Sequence, residues 1–349
     1  MKIQSIHIQN IGPLRDFQIE FDDAWKGGIK DLILFSGVNG SGKSSILRVV
    51  ANLWELAGKW LSVPGKHVAS KNPSRVFFAE KQGSAAVLLS GLPNLPRIGI
   101  FVGEPAFLEK LETKYPDFFW IGESYPTPKG PGRPPKRLLH EGADWLPQLA
   151  EAYRKLILNG SREMPNVVHL DGEERRWVKP RRGLGEVVAD NPQLKWLVGY
   201  QVGEDWQGQL EASLIAQKTL NESRYLKLVD DLNLFLAPKR IDPQPTSDTL
   251  RLKVRGPKIA PHGLDDLSAG EHQVLIQLFL VSRWLNEGGV VMIDEPDLHL
   301  HPSLLNSFLA QLETIVHEKK GQLLLTSHSP QVWERYENRG NRIRLGGGS

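Results

Sequence analysis

Two periodicities divide the chain. The first residues, MKIQSIHIQN, alternate apolar and polar side chains, the pattern of a strand with one buried face and not that of a signal peptide. Leu32 to Phe35 is a short apolar run before a glycine-rich turn, which predicts a buried strand. Beyond the turn, Ile46, Val49, Val50, Leu53 and Leu56 recur on one helical face, so an amphipathic helix follows. Val290 to Ile293 is another apolar run and predicts a second buried strand. From Asp265, DDLSAGEHQVLIQLFLVSRWL sets Ser268 and Glu271 at S-x-x-E before a long apolar run, the signature of a capped, buried helix. Residues 143–159 and 208–236 read as helices, the first closed by Asn159-Gly160 and the second followed by Pro238. No repeat of solenoid period interrupts this order.

Composition narrows the picture. The 349 residues, 40% hydrophobic and 24% charged, are ample for a packed core and fit one large domain or two. No run approaches the roughly 18 apolar residues of a membrane span, so a cytoplasmic protein with no membrane partner is expected. The lack of cysteine removes disulfides, thiolate metal sites and thiol nucleophiles together. A formal charge of +3 is too small to indicate nucleic-acid binding by itself. Residues 345–349 have the composition of an added flexible linker and are set aside from fold reasoning.

The turn after Phe35 carries the first chemistry. Gly37 to Ser44, GVNGSGKS, matches G-x-x-x-x-G-K-S between a strand and a helix. Glycines let backbone N–H groups curl around phosphate oxygens, and the helix N-terminus adds a favourable dipole. Lys43 would bridge the terminal phosphates and the Ser44 hydroxyl would reach Mg²⁺. The nucleotide-contacting set is therefore Gly37, Asn39, Gly40, Ser41, Gly42, Lys43, Ser44 and Ser45, with ATP and Mg²⁺ as cofactors. A turn that merely starts a helix would not need these residues in register.

The stretch DEPDLHLHP, residues 294–302, at first resembles a metal-ligand cluster, since alternating acids and histidines can bind zinc. The phosphate loop changes that reading. An apolar strand running into Asp294 and Glu295 is how a nucleotide site presents one carboxylate to Mg²⁺ and another to water. Asp294 joins Ser44 as a metal residue, and the zinc reading of Asp297, His299 and His301 becomes the minor alternative, because Pro302 opens a helix just beyond. At Ser268 the capping box explains two residues. It does not explain Gly270, which costs about 1 kcal/mol against alanine inside a helix yet permits close backbone approach by a ligand.

GVNGSGKSS, LSAGEHQ, VVMIDEPDLHLHP and LLLTSHSP occur in the order of phosphate loop, signature, acidic strand and switch histidine, and so resemble an ABC-type ATPase. IQSIHIQNIGPLRDFQIEF and DEPDLHLHP are similar to the SMC and RecF-like branch and to its small relatives in bacterial antiphage defence systems. The resemblance implies an α/β fold, an ABC-type P-loop ATPase head with a mixed sheet and an inserted, mainly helical lid. It implies ATP hydrolysis with Glu295 as the water-polarising base, His328 as the γ-phosphate sensor and Lys43 on the phosphates. It further implies a homodimer closed around ATP, with Ser268, Gly270 and Glu271 facing nucleotide held by the other copy, Asp297 at the seam, and Arg15 near the nucleotide. The family's glutamine loop has no match in the middle of the chain. The expected organisation is an N-terminal lobe at 1–110, a lid at 111–255, a C-terminal lobe at 256–344 and the linker at 345–349.

Residues 111–255 are too few and too rich in proline for the long coiled coil of SMC relatives. They hold two basic stretches. Lys129, Arg133, Lys136 and Arg137 lie in a proline-glycine loop whose PGRPPKR is similar to an AT-hook, and Arg175, Arg176, Lys179, Arg181 and Arg182 surround Trp177. Either a solvated loop or a weakly specific, salt-sensitive nucleic-acid contact fits such residues. The chain stops soon after LLLTSHSP and shows no other catalytic constellation, so an effector in trans, a nuclease or toxin, is expected. The rival reading is the soluble ATPase subunit of a transporter, which the missing glutamine loop disfavours.

Overall fold

The computed structural model describes the chain apart from residues 24–26, 65, 70, 82, 93–94, 96, 125–136, 139–142, 173–194, 201–209, 299, 340 and 347–349. The alternating start forms an antiparallel hairpin of β1 (Lys2–Ile11) and β2 (Leu14–Glu20). On β2, half-buried Phe17 and Ile19 turn inwards between exposed Asp16, Gln18 and Glu20, which protects a sheet edge. Next, β3 (Leu32–Gly37) runs through the glycine turn into α1 (Lys43–Ser62), and all five periodic apolar residues of that helix are buried. Then come α2 (Pro73–Lys81), β4 (Ser84–Ser90), β5 (Ile98–Gly103), α3 (Pro105–Lys114), β6 (Phe119–Ser124) and the short β7 (Arg137–Leu138). The middle continues with α4 (Leu146–Asn159), β8 (Val167–Leu170), β9 (Leu197–Val198), α5 (Leu210–Leu220), α6 (Glu222–Leu236), β10 (Arg240–Ile241), β11 (Lys253–Gly256) and β12 (Ile259–Gly263). The last part is α7 (Ala269–Trp284), β13 (Val290–Ile293), α8 (Pro302–Glu318), β14 (Gln322–Ser327), α9 (Pro330–Glu337) and β15 (Arg342–Leu345).

One sheet has the order β2-β1-β4-β5-β6-β7 and is antiparallel except at β5–β6; another, β15-β3-β14-β13-β8-β9, is parallel throughout. Helix α1 lies between them. Its Ile46, Leu53 and Leu56 share a core with Ile6, Val87 and Ile100 of the first sheet and with Ile33, Phe35, Met292 and Leu324 of the second. The alternate residues of the same parallel strands, Leu34, Val291, Ile293, Leu323 and Leu325, face a separate core built with α6, α7 and α8. Both faces of the parallel sheet are thus covered, which is why its strands read as unbroken apolar runs.

Residues 111–255 carry the expected helices, as α4, α5 and α6, and also extend both sheets: β6 pairs with β5, and β8 pairs with β13. A stacked pair joins this segment to α1. Trp54 and Trp196 lie 4.0 Å apart at their ring centroids, and each indole N–H donates to the other residue's carbonyl, at 2.9 and 2.7 Å. No described helix is long and apolar enough to cross a membrane.

Candidate nucleotide site

In an open parallel sheet, ligands bind where the carboxyl ends of the strands meet the loops. Here β3, β14, β13 and β8 are neighbours; β3 and β14 end in Ser36-Gly37 and Thr326-Ser327, and Asp294 and Asp171 follow β13 and β8. The β3 loop turns by left-handed backbone at Gly40 (φ 78°) and Gly42 (φ 97°). A Cβ at Gly42 would also stand 2.7 Å from Leu14 Cδ2, so only glycine lets the β1–β2 turn rest on the loop. Arg15, the next residue on β2, is exposed, and no contact of its side chain with the loop is seen among the described residues. Helix α1 then starts, its first intrahelical bond running from Ile46 N–H to Gly42 O at 3.0 Å. The N–H groups ahead of that bond belong to the unpaired first turn, which suits an anion. Lys43 Nζ is folded back onto the loop and donates to Gly37 O and Val38 O, both at 3.0 Å. Burial holds its pKa below the ordinary lysine value, against the opposing pull of the Glu295 and Asp294 carboxylates.

The buried Asp294 receives two hydroxyls on one oxygen. Ser44 Oγ donates to Oδ1 at 2.9 Å, and Thr326 Oγ1 donates to the same atom. Thr326 in turn accepts the Glu295 N–H at 2.9 Å. Glu295 stands at φ 48°, a left-handed conformation that a non-glycine residue holds at a cost and that gathers at functional sites. Its Oε1 lies 2.9 Å from His328 Nε2, and both side chains are half-buried. The sequence-expected Ser44 of α1, Asp294 and Glu295 just past β13, and His328 just past β14 are thus linked, with Thr326 of β14 as the added member, into one chain of polar contacts, Ser44–Asp294–Thr326–Glu295–His328.

The donor set near Ser44 and Asp294 is a hydroxyl and a carboxylate, hard oxygen atoms that fit Mg²⁺. Zinc has less to hold. Leu298 N–H bonds to Glu295 O at 3.1 Å and Leu300 N–H to Asp297 O at 3.0 Å, so the described residues here turn and do not line ligands along a strand. His301 is exposed at the mouth of α8, His299 lies outside the described residues, and among the described residues no group of three His, Cys, Asp or Glu could hold a metal.

Ser268 caps α7 as the S-x-x-E spacing implies: its Oγ accepts Glu271 N–H at 3.3 Å, and its own N–H donates to Glu271 Oε2 at 2.9 Å. Lys239 Nζ lies 2.5 Å from Glu271 Oε1. Burial resists ionisation of Glu271, but Lys239 and Ser268 hold its carboxyl below the usual range. Gly270 sits half-buried in the first turn. α7 belongs to the core on the opposite face of the parallel sheet from α1. Two site features escaped the sequence: Thr326, and the carboxylate Asp171 just past β8, which two nitrogens of Arg48 on α1 contact. Their only sequence signal is a polar residue at the end of an apolar run. Arg175, Arg176, Trp177, Lys179, Arg181 and Arg182, together with Lys129, Arg133 and Lys136, lie outside the described residues.

Residues 32–334 match the family described as AAA domain, putative AbiEii toxin, Type IV TA system, and residues 5–52 match an AAA domain family. The chain is 28% identical over 202 residues to the retron Ec83 probable ATPase of Escherichia coli, covering 51% of this chain and 36% of that protein. It is 35% identical over 66 residues to protein ea59 of Escherichia phage lambda, covering 19% of this chain and 13% of that protein. The matches thus span well under two thirds of either relative's length. Among solved structures, the SMC head domain from Thermotoga maritima aligns over 96% of this chain and 92% of its own, at 14% identity and a TM-score of 0.40. The SmcHead bound to the C-winged helix domain of ScpA aligns over 96% and 91%, at 13% identity and a TM-score of 0.45.

Proposed function

We propose, from the premise that this chain belongs to the AAA-domain family described as putative AbiEii toxin of a Type IV TA system, that it hydrolyses ATP and uses nucleotide state to control a second protein in phage defence or genome maintenance. By family it is a P-loop ATPase resembling those of defence systems. The observation that supports this reading best is the chain of polar contacts from Ser44 through Asp294, Thr326 and Glu295 to His328, assembled from three separate parts of the sequence beside the phosphate loop.

In this reading the loop N–H groups and Lys43 hold the phosphates, Lys43 leaving its loop carbonyls to do so. Ser44 and Asp294 would hold Mg²⁺, which when bound neutralises phosphate charge. Glu295 takes a proton from the attacking water as ATP and water become ADP and phosphate. His328, in contact with Glu295, orients that carboxylate and meets the terminal phosphate. Ser268, Gly270 and Glu271 start a helix packed on the sheet face opposite α1, which fits a role toward ATP held by a second copy, with Asp297 at the seam. The partner, a nuclease or toxin, would dock on residues 111–255 and respond because its contacts differ between open and closed dimers.

Purified protein should hydrolyse ATP, and Lys43→Ala should lower kcat/KM about a hundredfold, the scale of a lost charge-assisted hydrogen bond. Hydrolysis that survives Lys43→Ala unchanged, or pull-downs that return only membrane transport subunits, would overturn the reading. A nucleic-acid contact through Arg175, Arg176, Lys179, Arg181 and Arg182 is the sequence-based part of the proposal. Replacing the four arginines with alanine should flatten the fall of DNA affinity with salt by a slope of up to about 3.6, since each neutralised phosphate contributes about 0.9. An unchanged slope returns them to solvent.

A further inference from the structure

We infer that Asp171 and Arg48 are a positioning pair that sets helix α1, and with it Ser44, against Asp294. Strand β8 runs parallel to β13 with Leu170 beside Ile293, so Asp171 and Asp294 are the next residues on neighbouring strands. The Asp294 N–H donates to Leu170 O at 2.9 Å, which extends that register to the strand ends. On α1, Ser44 and Arg48 are four residues apart and share a face. The helix therefore meets the two strands twice, one turn apart. Ser44 Oγ donates to Asp294 Oδ1 at 2.9 Å, while Arg48 donates through Nε to Asp171 Oδ2 at 2.9 Å and through Nη2 to Oδ1 at 3.2 Å.

The two contacts differ in what they can hold. A serine hydroxyl makes a single-point contact and rotates freely, so it cannot by itself fix the helix's rotation. The guanidinium fork makes two parallel bonds and fixes direction as well as distance. The side chains are 41% and 21% exposed, so the pair's electrostatic contribution to stability is small. Its consequence is geometric: the buried apolar face and Trp54 hold α1 along its length, the fork adds the directional contact at its first turns, and without that contact the hydroxyl one turn earlier loses its set place beside Asp294. The phosphate loop, held by its glycines and by Leu14, does not depend on that contact. Loss of the pair should therefore damage the cation-dependent part of the site and spare the nucleotide grip.

The inference rests on the ATPase reading, in which Ser44 and Asp294 hold the cation. Asp171→Asn and Arg48→Gln, alone, together and each in a Ser44→Ala background, are compared by Mg²⁺ dependence of hydrolysis, by binding of a fluorescent ATP analogue with Mg²⁺ or EDTA, and by melting temperature. Each single variant should raise the Mg²⁺ needed for half-maximal hydrolysis about tenfold, as outer-shell changes do, with analogue binding in EDTA unchanged. The double variant should be no worse than either single one, and neither change should add to Ser44→Ala, because the pair acts through that hydroxyl. A wild-type Mg²⁺ requirement, effects that add to Ser44→Ala, or a loss of activity that tracks a fallen melting temperature overturns the pair's role. Failure of the wild-type chain to hydrolyse ATP overturns the ATPase reading alone; the Mg²⁺ gain in analogue binding then decides the pair, and a gain unchanged by Asp171→Asn overturns it.

Discussion

Glu295→Gln should bind ATP nearly as well as the unaltered chain and hydrolyse it about 10²- to 10⁴-fold more slowly, the range that a positioned general base contributes. Glutamine keeps the shape of glutamate and can still bond His328, which lies 2.9 Å from the Glu295 carboxylate. What it loses is the ability to take a proton from water. The main-chain conformation at φ 48° is anchored by the Glu295 N–H bond to Thr326, a bond the substitution does not touch. In the proposed reading the phosphates are held by Lys43 and the loop, so affinity for nucleotide should survive. Single-turnover hydrolysis and equilibrium binding separate the two effects. Near-normal turnover by this variant would remove Glu295 from the role of base.

Gly270→Asp should abolish turnover while leaving each copy folded and able to bind ATP. An acidic residue in the first turn of α7 favours the helix, because it faces the positive end of the dipole. The same carboxylate would meet the terminal phosphate of ATP brought by a second copy. Like charges about 4 Å apart repel by roughly 4 kcal/mol at an effective dielectric of 20, close to a thousandfold in closure of the dimer. In a Glu295→Gln background, ATP should double the mass by light scattering, and adding Gly270→Asp should hold the protein monomeric. Hydrolysis by Gly270→Asp at the ordinary rate would discard the ATP sandwich.

The phosphate loop, the acidic strand end and the cap on α7 were legible because each is determined within about ten residues. Glycine positions, a short apolar run and an S-x-x-E spacing act through local backbone geometry, and the structure shows the same strand, turn, helix and capping box. The helix expected at 143–159 was legible for a similar reason, its end marked by Asn159-Gly160, whereas the single helix expected at 208–236 is two, α5 and α6, parted at Asn221, whose side chain accepts the Arg224 N–H and caps α6. DEPDLHLHP misled at first glance. Alternation of acids and histidines suggests ligands on a strand, but the left-handed Glu295 and the backbone turn bonds at Leu298 and Leu300 end the strand at Ile293.

The sequence by itself determined which short segments would be strand, loop and helix, and which chemistry each could carry. Tertiary structure decided which of those segments meet. Val167–Leu170 is four residues long, too short for periodicity to separate a strand from a piece of helix; pairing with β13 makes it a strand and carries Asp171 beside Asp294. Thr326 looks like any polar residue after an apolar run until the parallel register of β14 with β13 brings its hydroxyl between Asp294 and Glu295. Contacts between a strand end and a neighbouring strand or helix join residues 32 to 250 positions apart, as Thr326–Asp294 and Ser44–Asp294 do, and no local pattern encodes them. They arise because parallel strands covered on both faces all end at one edge of the sheet, where the polar residues beyond β3, β14, β13 and β8 converge.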